Sequence, residues 1–270
     1  MPVWFISDAH LGSSADPATD EPRLARLLPF LERVTSARAE HLYILGDLFD
    51  FWFEYVHVMP RRHLRILSAL RDVVAGGVPV TFLGGNHDWW VGKTFEENLG
   101  FRVARDPISV THQGVRLHLA HGDGLASKHD SGYLLLKAVL RNPVVVAALR
   151  LVHPDLAYSF GFRLSKFSRH YLTEKEFRIA ERLGEVIDAR LADGHDAVLM
   201  GHLHTRHRER RKDGELFVLG DWMTIFSALR LEDGQLVWED WSSGTAVDVP
   251  EPSPTIRGGH GDEPVLRKAR

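Results

Sequence analysis

The chain has 270 residues, 44% hydrophobic and 26% charged, with a formal net charge of −3 and no cysteine. This is the composition of a globular protein with a sizeable core, and it excludes disordered, fibrous and disulfide-stapled classes together with thiolate metal sites and Cys nucleophiles. The charge gives no overall attraction to nucleic acid, so no nucleic acid polymer is expected as a partner, and any metal must be held by His, Asp, Glu or Asn.

The N-terminus, Met1-Pro-Val-Trp-Phe-Ile-Ser7, enters a strand at once, without a basic n-region or small-residue cleavage site, so it does not read as a secretory signal. Short β-branched and aromatic runs then alternate with helical patterns. A strand is expected over Val3 to Ser7, a helix over Glu21 to Ala37, a strand over His41 to Leu45, a helix over Arg61 to Ala75 and a strand over Val78 to Leu83. This alternation argues for an α/β sheet. Strands at Phe101 to Ala104, Ser109 to His112 and Val115 to Ala120 follow, the last two joined by the Gln113-Gly114 turn.

Residues 124–175 break the rhythm. They read as mostly helical, carry two prolines, and precede a helix over Glu176 to Ala192 that resumes the α/β pattern; they are expected to be an insertion. Their most apolar stretch, Tyr133 to Val152, is interrupted by Lys137, Arg141, Pro143 and Arg150, whereas a membrane-spanning helix needs about 20 mostly apolar residues. Strands at Ala197 to Met200, Arg206 to Arg211, Leu216 to Leu219, Ile225 to Leu231 and Leu236 to Glu239 complete the pattern. Two packed sheets with helices outside accommodate this order. The expected organisation is one domain over 1–243 with the insertion inside it and a flexible tail over 244–270, rich in Gly, Pro and charge.

Five clusters each follow an apolar strand: Asp8-Ala9-His10, Gly46-Asp47-Leu48-Phe49-Asp50, Gly84-Gly85-Asn86-His87-Asp88, His121-Gly122-Asp123 and Gly201-His202-Leu203-His204. Ligands of open α/β sheets bind outside the carboxyl ends of strands, so five such loops can converge in space. Taken singly each is weak, because a strand-end Asp often caps a helix, a lone His is often a hydrogen-bonded core residue, and Gly beside Asp or Asn is ordinary turn chemistry. Together they supply seven ligands of the kind that bind Mn²⁺, Fe²⁺ or Zn²⁺ without thiolate. Seven are too many for one catalytic ion with an open position. They suit two ions sharing a carboxylate, roughly 3.5–4 Å apart, an arrangement that activates water and clamps the oxygens of a phosphoryl displacement.

The five clusters, in this order, resemble the motifs of the calcineurin-like metallophosphoesterase superfamily: Asp-x-His, Gly-Asp-x-x-Asp, Gly-Asn-His-Asp, His-Gly and Gly-His-x-His, spanning residues 8 to 204. The resemblance implies a four-layer α/β/β/α sandwich. It implies that Asp8, His10, Asp47 and His204 hold one divalent ion and that Asp47, Asn86, His121 and His202 hold the other, Asp47 bridging. It further implies in-line attack on phosphorus by a metal-bridging hydroxide. His87 would stabilise the phosphoryl charge or protonate a leaving oxygen, with Asp50 fixing its tautomer, the alternative being that both merely shape the turn; Asp88 is balanced between a role at the site and a structural one, and Asp123 orients a ligand or the loop.

Within the superfamily, Ile44-Leu-Gly-Asp-Leu-Phe-Asp-Phe-Trp52, Asn86-His-Asp88, and His121-Gly-Asp123 followed by Asp130-Ser-Gly-Tyr133 are similar to the group that cleaves the pyrophosphate of UDP-2,3-diacylglucosamine in lipid A synthesis, giving UMP and 2,3-diacylglucosamine 1-phosphate, generally with Mn²⁺. His87 stands where better-known members of that group carry Arg and follows the wider superfamily instead. By this resemblance Asn86, His87, Asp130, Tyr133, Ser165, Ser168, Arg169 and His202 contact substrate, and the helical insertion caps the site and receives acyl chains. Lys128 to Arg178 carries nine basic and four acidic residues on an otherwise acidic chain. From composition alone the apolar face of this stretch packs on the sandwich and its charges form a solvated face; the resemblance implies instead a basic, apolar cap suited to an acylated diphosphate and to the anionic inner face of the cytoplasmic membrane, with the protein cytoplasmic and peripherally bound. No obligate protein partner is implied.

Overall fold

The computed structural model describes residues 1–123, 131–161, 163 and 176–249. In the first sheet β1 (Val3–Ile6), β2 (His41–Ile44), β3 (Val80–Leu83) and β4 (Arg102–Ala104) run parallel. The second sheet contains β5 (Ile108–His112), β6 (Val115–Ala120), β7 (Ala197–Met200), β8 (Arg206–Arg211) and β9 (Gly214–Leu219), in the order β5-β6-β7-β9-β8, with β6, β7 and β9 parallel. The chain then returns to the first sheet through β10 (Ser227–Glu232), β11 (Gln235–Asp240) and β12 (Val247–Val249), which complete the order β12-β11-β10-β1-β2-β3-β4.

Side chains alternate across a strand, and here both faces are buried, so the central strands read as unbroken apolar runs. Val3 and Phe5 of β1 and Tyr43 of β2 enter a core shared with Leu117, Leu119, Leu199 and Phe217 of the opposite sheet. Their neighbours Trp4, Ile6, Leu42 and Ile44 point the other way. There they meet the apolar stripes of α1 (Glu21–Ser36) and α2 (Leu64–Ala75), made by Leu24, Leu27, Phe30, Leu31, Ile66, Leu70 and Val73. Each such side chain removed from water contributes roughly 1.5–3 kcal/mol.

Two helices, α3 (Ser131–Arg141) and α4 (Pro143–Leu149), and a helical segment over 154–161 follow β6. Helix α5 (Glu176–Ala192) then packs Ile187 and Leu191 on Val198, Met200, Leu216 and Val218, closing the outer face of the second sheet. The layers are therefore α/β/β/α, as the order of elements predicts.

The helical segments between β6 and α5 rest on the loops that follow β2 and β3. The Tyr158 hydroxyl donates to the Phe53 carbonyl at 3.2 Å, Trp90 Nε1 donates to the Leu140 carbonyl at 2.9 Å, and Gly161 lies so close to the Phe51 ring that a Cβ would sit 2.6 Å from it. Phe51, Phe53 and Trp90 thus hold these helical segments, whereas Trp52 is core, packed on Phe49 and Phe95.

Several boundaries differ from the sequence reading, and three of the differences have a plain physical cause. The strand expected from Val78 starts at Val80, because Pro79 has no N–H to give a ladder. The strand expected from Ile225 starts at Ser227, because the Asp221 carboxylate accepts from the backbone N–H of Met223, Thr224 and Ile225 and folds that stretch into a turn. Val247–Val249, placed in the tail by composition, pairs with β11 as an edge strand too short to show periodicity.

His63 gives the fold a pH response. Its ring lies between Phe49 and Gly12, and burial, assisted by the Arg62 charge, lowers its pKa to about 3 from 6.5. The unfolded chain therefore binds the extra proton first as pH falls, so stability present above about 6.5 is lost progressively toward 3. His63→Phe is expected to flatten the fall in urea midpoint between pH 7.5 and 5; an unchanged slope would contradict this.

Candidate metal centre

All five clusters lie at carboxyl ends of parallel strands: Asp8 and His10 after β1, Asp47 after β2, Asn86 after β3, His121 after β6, and His202 and His204 after β7. The facing of the two sheets brings the loops together. Five of these residues adopt left-handed backbone, Asp8 at φ 57°, His10 at 42°, Asp47 at 53°, His202 at 70° and His204 at 50°. Each such residue costs about 1 kcal/mol or more and persists only where its surroundings hold it. Here the loops hold one another: Asp8 N–H donates to the Gly46 carbonyl at 3.1 Å, His10 N–H to the Asp47 carbonyl at 2.9 Å, and His202 N–H to Asp8 Oδ2 at 2.8 Å.

The side chains form three overlapping groups, Asp8 with His10 and His204, His10 with Asp47 and His87, and Asp47 with His121 and His202; within each group the ligand-type atoms lie within 4.8 Å of one another. His204 Nε2 is 3.5 Å from Asp8 Oδ1, His10 Nε2 is 3.7 Å from Asp8 Oδ1 and 3.6 Å from Asp47 Oδ2, and His121 Nε2 is 3.3 Å from Asp47 Oδ2. Asn86 joins the last group, its Oδ1 lying 3.1 Å from His121 Nε2. Nitrogen and oxygen atoms bound about 2.1 Å from one ion stand roughly 3.0–3.5 Å apart, so all these spacings are close to those of shared coordination, and the Asp–His ones are longer than good hydrogen bonds.

The donor set fits divalent cations on a second ground. Asp8 Oδ1 and His10 Nε2 are buried with no hydrogen-bond partner. Burial opposes the charge on Asp47, yet His121 and His87 beside it hold its pKa well below the usual carboxylate range. Burial likewise opposes charge on His10, but Asp50, Asp8 and Asp47 raise it to about 10, and Asp47 lifts His121 well above its ordinary value. Protons on these imidazoles balance the carboxylates in the metal-free chain, and metal binding takes the place of such protons. His202, by contrast, is lowered to about 4 by burial and then by the neighbouring His121.

The supporting residues differ in part from expectation. Asp50 does not fix the His87 tautomer with its carboxylate, which lies 3.3 Å from His10 Nδ1; the Asp50 backbone carbonyl, 2.8 Å from His87 Nδ1, takes that part. The reason is geometric, since the loop after β2 turns the Asp50 side chain toward the β1 loop. Asp88 accepts from the N–H groups of Asp47, Phe49 and Gly85 and so ties the β2 and β3 loops together. Asp123 is bound by Lys137 at 2.6 Å and Arg141 at 3.5 Å, linking the β6 loop to α3. Sequence reasoning missed Asp221, whose carboxylate lies 3.8 Å from His204 Nδ1. Its signal was available, because Gly220-Asp221 after β9 repeats the strand-end pattern. Tyr133 falls within α3. Asp130, Ser165, Ser168 and Arg169 lie outside the described residues.

The description calcineurin-like phosphoesterase belongs to a family model that matches residues 1–206. The chain is 32% identical over 244 residues to a UDP-2,3-diacylglucosamine hydrolase of Porphyromonas gingivalis, with 88% of this chain and 90% of that one covered. It is 34% identical over 230 residues to the protein of that name from Pseudomonas aeruginosa, with 82% and 91% covered. Among solved structures it is similar to Yfce, a phosphoesterase from E. coli, at 18% identity and a TM-score of 0.44, over 92% of this chain and 98% of that one. With the family model covering most of its length and every motif loop in place, the chain belongs to the calcineurin-like phosphoesterase family.

Proposed function

We propose that the chain hydrolyses the pyrophosphate bond of UDP-2,3-diacylglucosamine to UMP and 2,3-diacylglucosamine 1-phosphate, a step of lipid A biosynthesis, using two divalent ions that are Mn²⁺ in the working enzyme. The observation that carries the chemistry is Asp47, which belongs to two adjoining groups of candidate ligands at once. The substrate rests on relatives named for it that match over most of both chains.

In this reading Asp8, His10, Asp47 and His204 hold one ion, and Asp47, Asn86, His121 and His202 the other. Bound there, such ions supply Lewis acidity toward phosphoryl oxygens and a water activated for attack. Asp50 orients His10. Asp221 flanks the opposite nitrogen of His204, as partners of ligating histidines commonly do. His87, with Nδ1 engaged by the Asp50 carbonyl, keeps Nε2 to exchange a proton with the reacting group; that atom is 3.9 Å from Asp47 Oδ2.

The insertion over 124–175 is the cap that receives the acyl chains, contacting substrate through Asp130, Tyr133, Ser165, Ser168 and Arg169, and it sets the protein on the anionic inner face of the cytoplasmic membrane. Its described part supports this, since Leu135, Val144, Leu151, Leu156 and Phe160 are exposed. No helix among the described residues is long and apolar enough to cross a membrane.

The test is hydrolysis of UDP-2,3-diacylglucosamine against UDP-N-acetylglucosamine, cyclic nucleotides and bis-aryl phosphates, each with Mn²⁺, Mg²⁺ and Zn²⁺, together with sedimentation on anionic vesicles. The acylated diphosphate with Mn²⁺ is expected to turn over fastest, and the protein to sediment at low salt. Turnover confined to diesters or cyclic nucleotides would replace the substrate assignment with a phosphodiesterase one.

A further inference from the structure

A cavity of about 70 Å³ adjoins the candidate metal centre, bounded in part by Leu83, Gly84, Arg105, His121, Lys137 and Arg141. Three cations converge on it from two elements, Arg105 from the loop after β4 and Lys137 and Arg141 from α3. They are fixed in place. Lys137 and Arg141 engage Asp123, Arg105 donates to the Val91 carbonyl at 3.0 Å, and the guanidiniums of Arg105 and Arg141 lie 5.6 and 4.6 Å from the Trp89 ring centroid. Trp89 Nε1 is buried without an acceptor, and the adjoining Cδ1 packs 3.4 Å from where a Gly84 Cβ would stand.

Among the described residues, the carboxylates facing these cations in the cavity wall are those of Asp106 and Asp123. A cavity of this size has room for one tetrahedral oxyanion. Fixed guanidiniums are suited to phosphoryl oxygens. His121 forms one wall, so an anion here lies beside the proposed ion pair.

We propose that Arg105, Lys137 and Arg141 form an oxyanion subsite for the second phosphoryl group of a diphosphate substrate, the one not attacked at the metal centre. This rests on the reading of the chain as a pyrophosphate hydrolase, and it selects diphosphates over substrates with a single phosphorus. Arg105, Lys137 and Arg141 are substrate-binding residues in this scheme.

The test is calorimetric binding of UDP and of UMP to the metal-loaded protein, in wild type, Arg105→Gln, Lys137→Gln, Arg141→Gln and Arg141→Lys. Wild type is expected to bind UDP at least about tenfold more tightly than UMP, the scale of a charge-assisted hydrogen bond. Each Gln variant should shrink that ratio severalfold, and Arg141→Lys should retain most of it. If the cations only fasten α3 to the core, both affinities change together and the ratio stays constant, which overturns the proposal, as does equal affinity in wild type. Should wild type show the UDP preference yet fail to hydrolyse UDP-2,3-diacylglucosamine, the lipid substrate is refuted and the subsite stands.

Discussion

Asp47→Ala is expected to lose metal loading and hydrolysis together. Asp47 Oδ2 lies 3.3 Å from His121 Nε2, 3.6 Å from His10 Nε2 and 3.9 Å from His87 Nε2, and Oδ1 accepts from the His87 N–H at 3.0 Å. One carboxylate therefore joins both candidate ion positions and also fixes the β3 loop. Its removal leaves His10 and His121 without their nearest shared counter-charge. We expect metal content to fall from two equivalents to fewer than one, and kcat/KM to fall at least about a thousandfold, some 4 kcal/mol of transition-state stabilisation. Asp47→Asn keeps the shape and an acceptor for the His87 N–H, so it separates charge from packing; it should remain folded by circular dichroism and still bind metal poorly. Two tightly held equivalents in Asp47→Ala, measured by plasma mass spectrometry, would remove the bridging assignment.

That centre was readable because each of its candidate ligands sits beside a strong local signal, the end of an apolar strand. Strands buried on both faces lack a polar face, so Val3–Ile6 and Ala197–Met200 announce themselves as short apolar runs, and the residues that follow them stand out. The C-terminal end of the helix over Glu176–Ala192 was legible for a related reason, its apolar positions recurring at helical spacing up to a polar flank.

What the sequence did not disclose depends on the third dimension. Nothing local says that the Asp50 carboxylate turns toward His10 while its carbonyl meets His87; that choice is set by how the β1 and β2 loops lie side by side, joined by the His10 and Leu11 N–H groups bonding to the Asp47 and Leu48 carbonyls. The gathering of Arg105, Lys137 and Arg141 around Asp123 and Trp89 was hidden for the same reason, since its members come from a loop after β4, α3 and the β3 and β6 loops. Left-handed backbone at His10 and His202 was equally invisible, because His carries no turn preference comparable to that of Gly.

Gly85 shows the same limit and leads to the second large expected effect. In sequence it reads as a turn glycine, yet it is not among the left-handed residues. Its requirement is space: a Cβ on Gly85 would lie 2.0 Å from Asp47 Oδ1, 2.6 Å from Asp47 N and 2.8 Å from Asp47 Cγ. No rotamer change relieves a clash with the Asp47 backbone nitrogen, so in Gly85→Ala the β2 and β3 loops must separate and carry the Asp47 carboxylate with them. Displacement by about 1 Å at a reacting centre costs on the order of a hundredfold in rate, and here the displaced group also joins the two ion positions. Gly85→Ala should therefore lose metal and activity almost as fully as Asp47→Ala although Asp47 itself is intact. Gly77→Ala is the contrast, because a Cβ there meets nothing within 4 Å and only the φ of 88° opposes it, a strain of about 1 kcal/mol. That variant should melt slightly lower with metal content and turnover preserved. If Gly85→Ala instead holds two ions and turns over at the wild-type rate, the close approach of the two loops does not govern the centre.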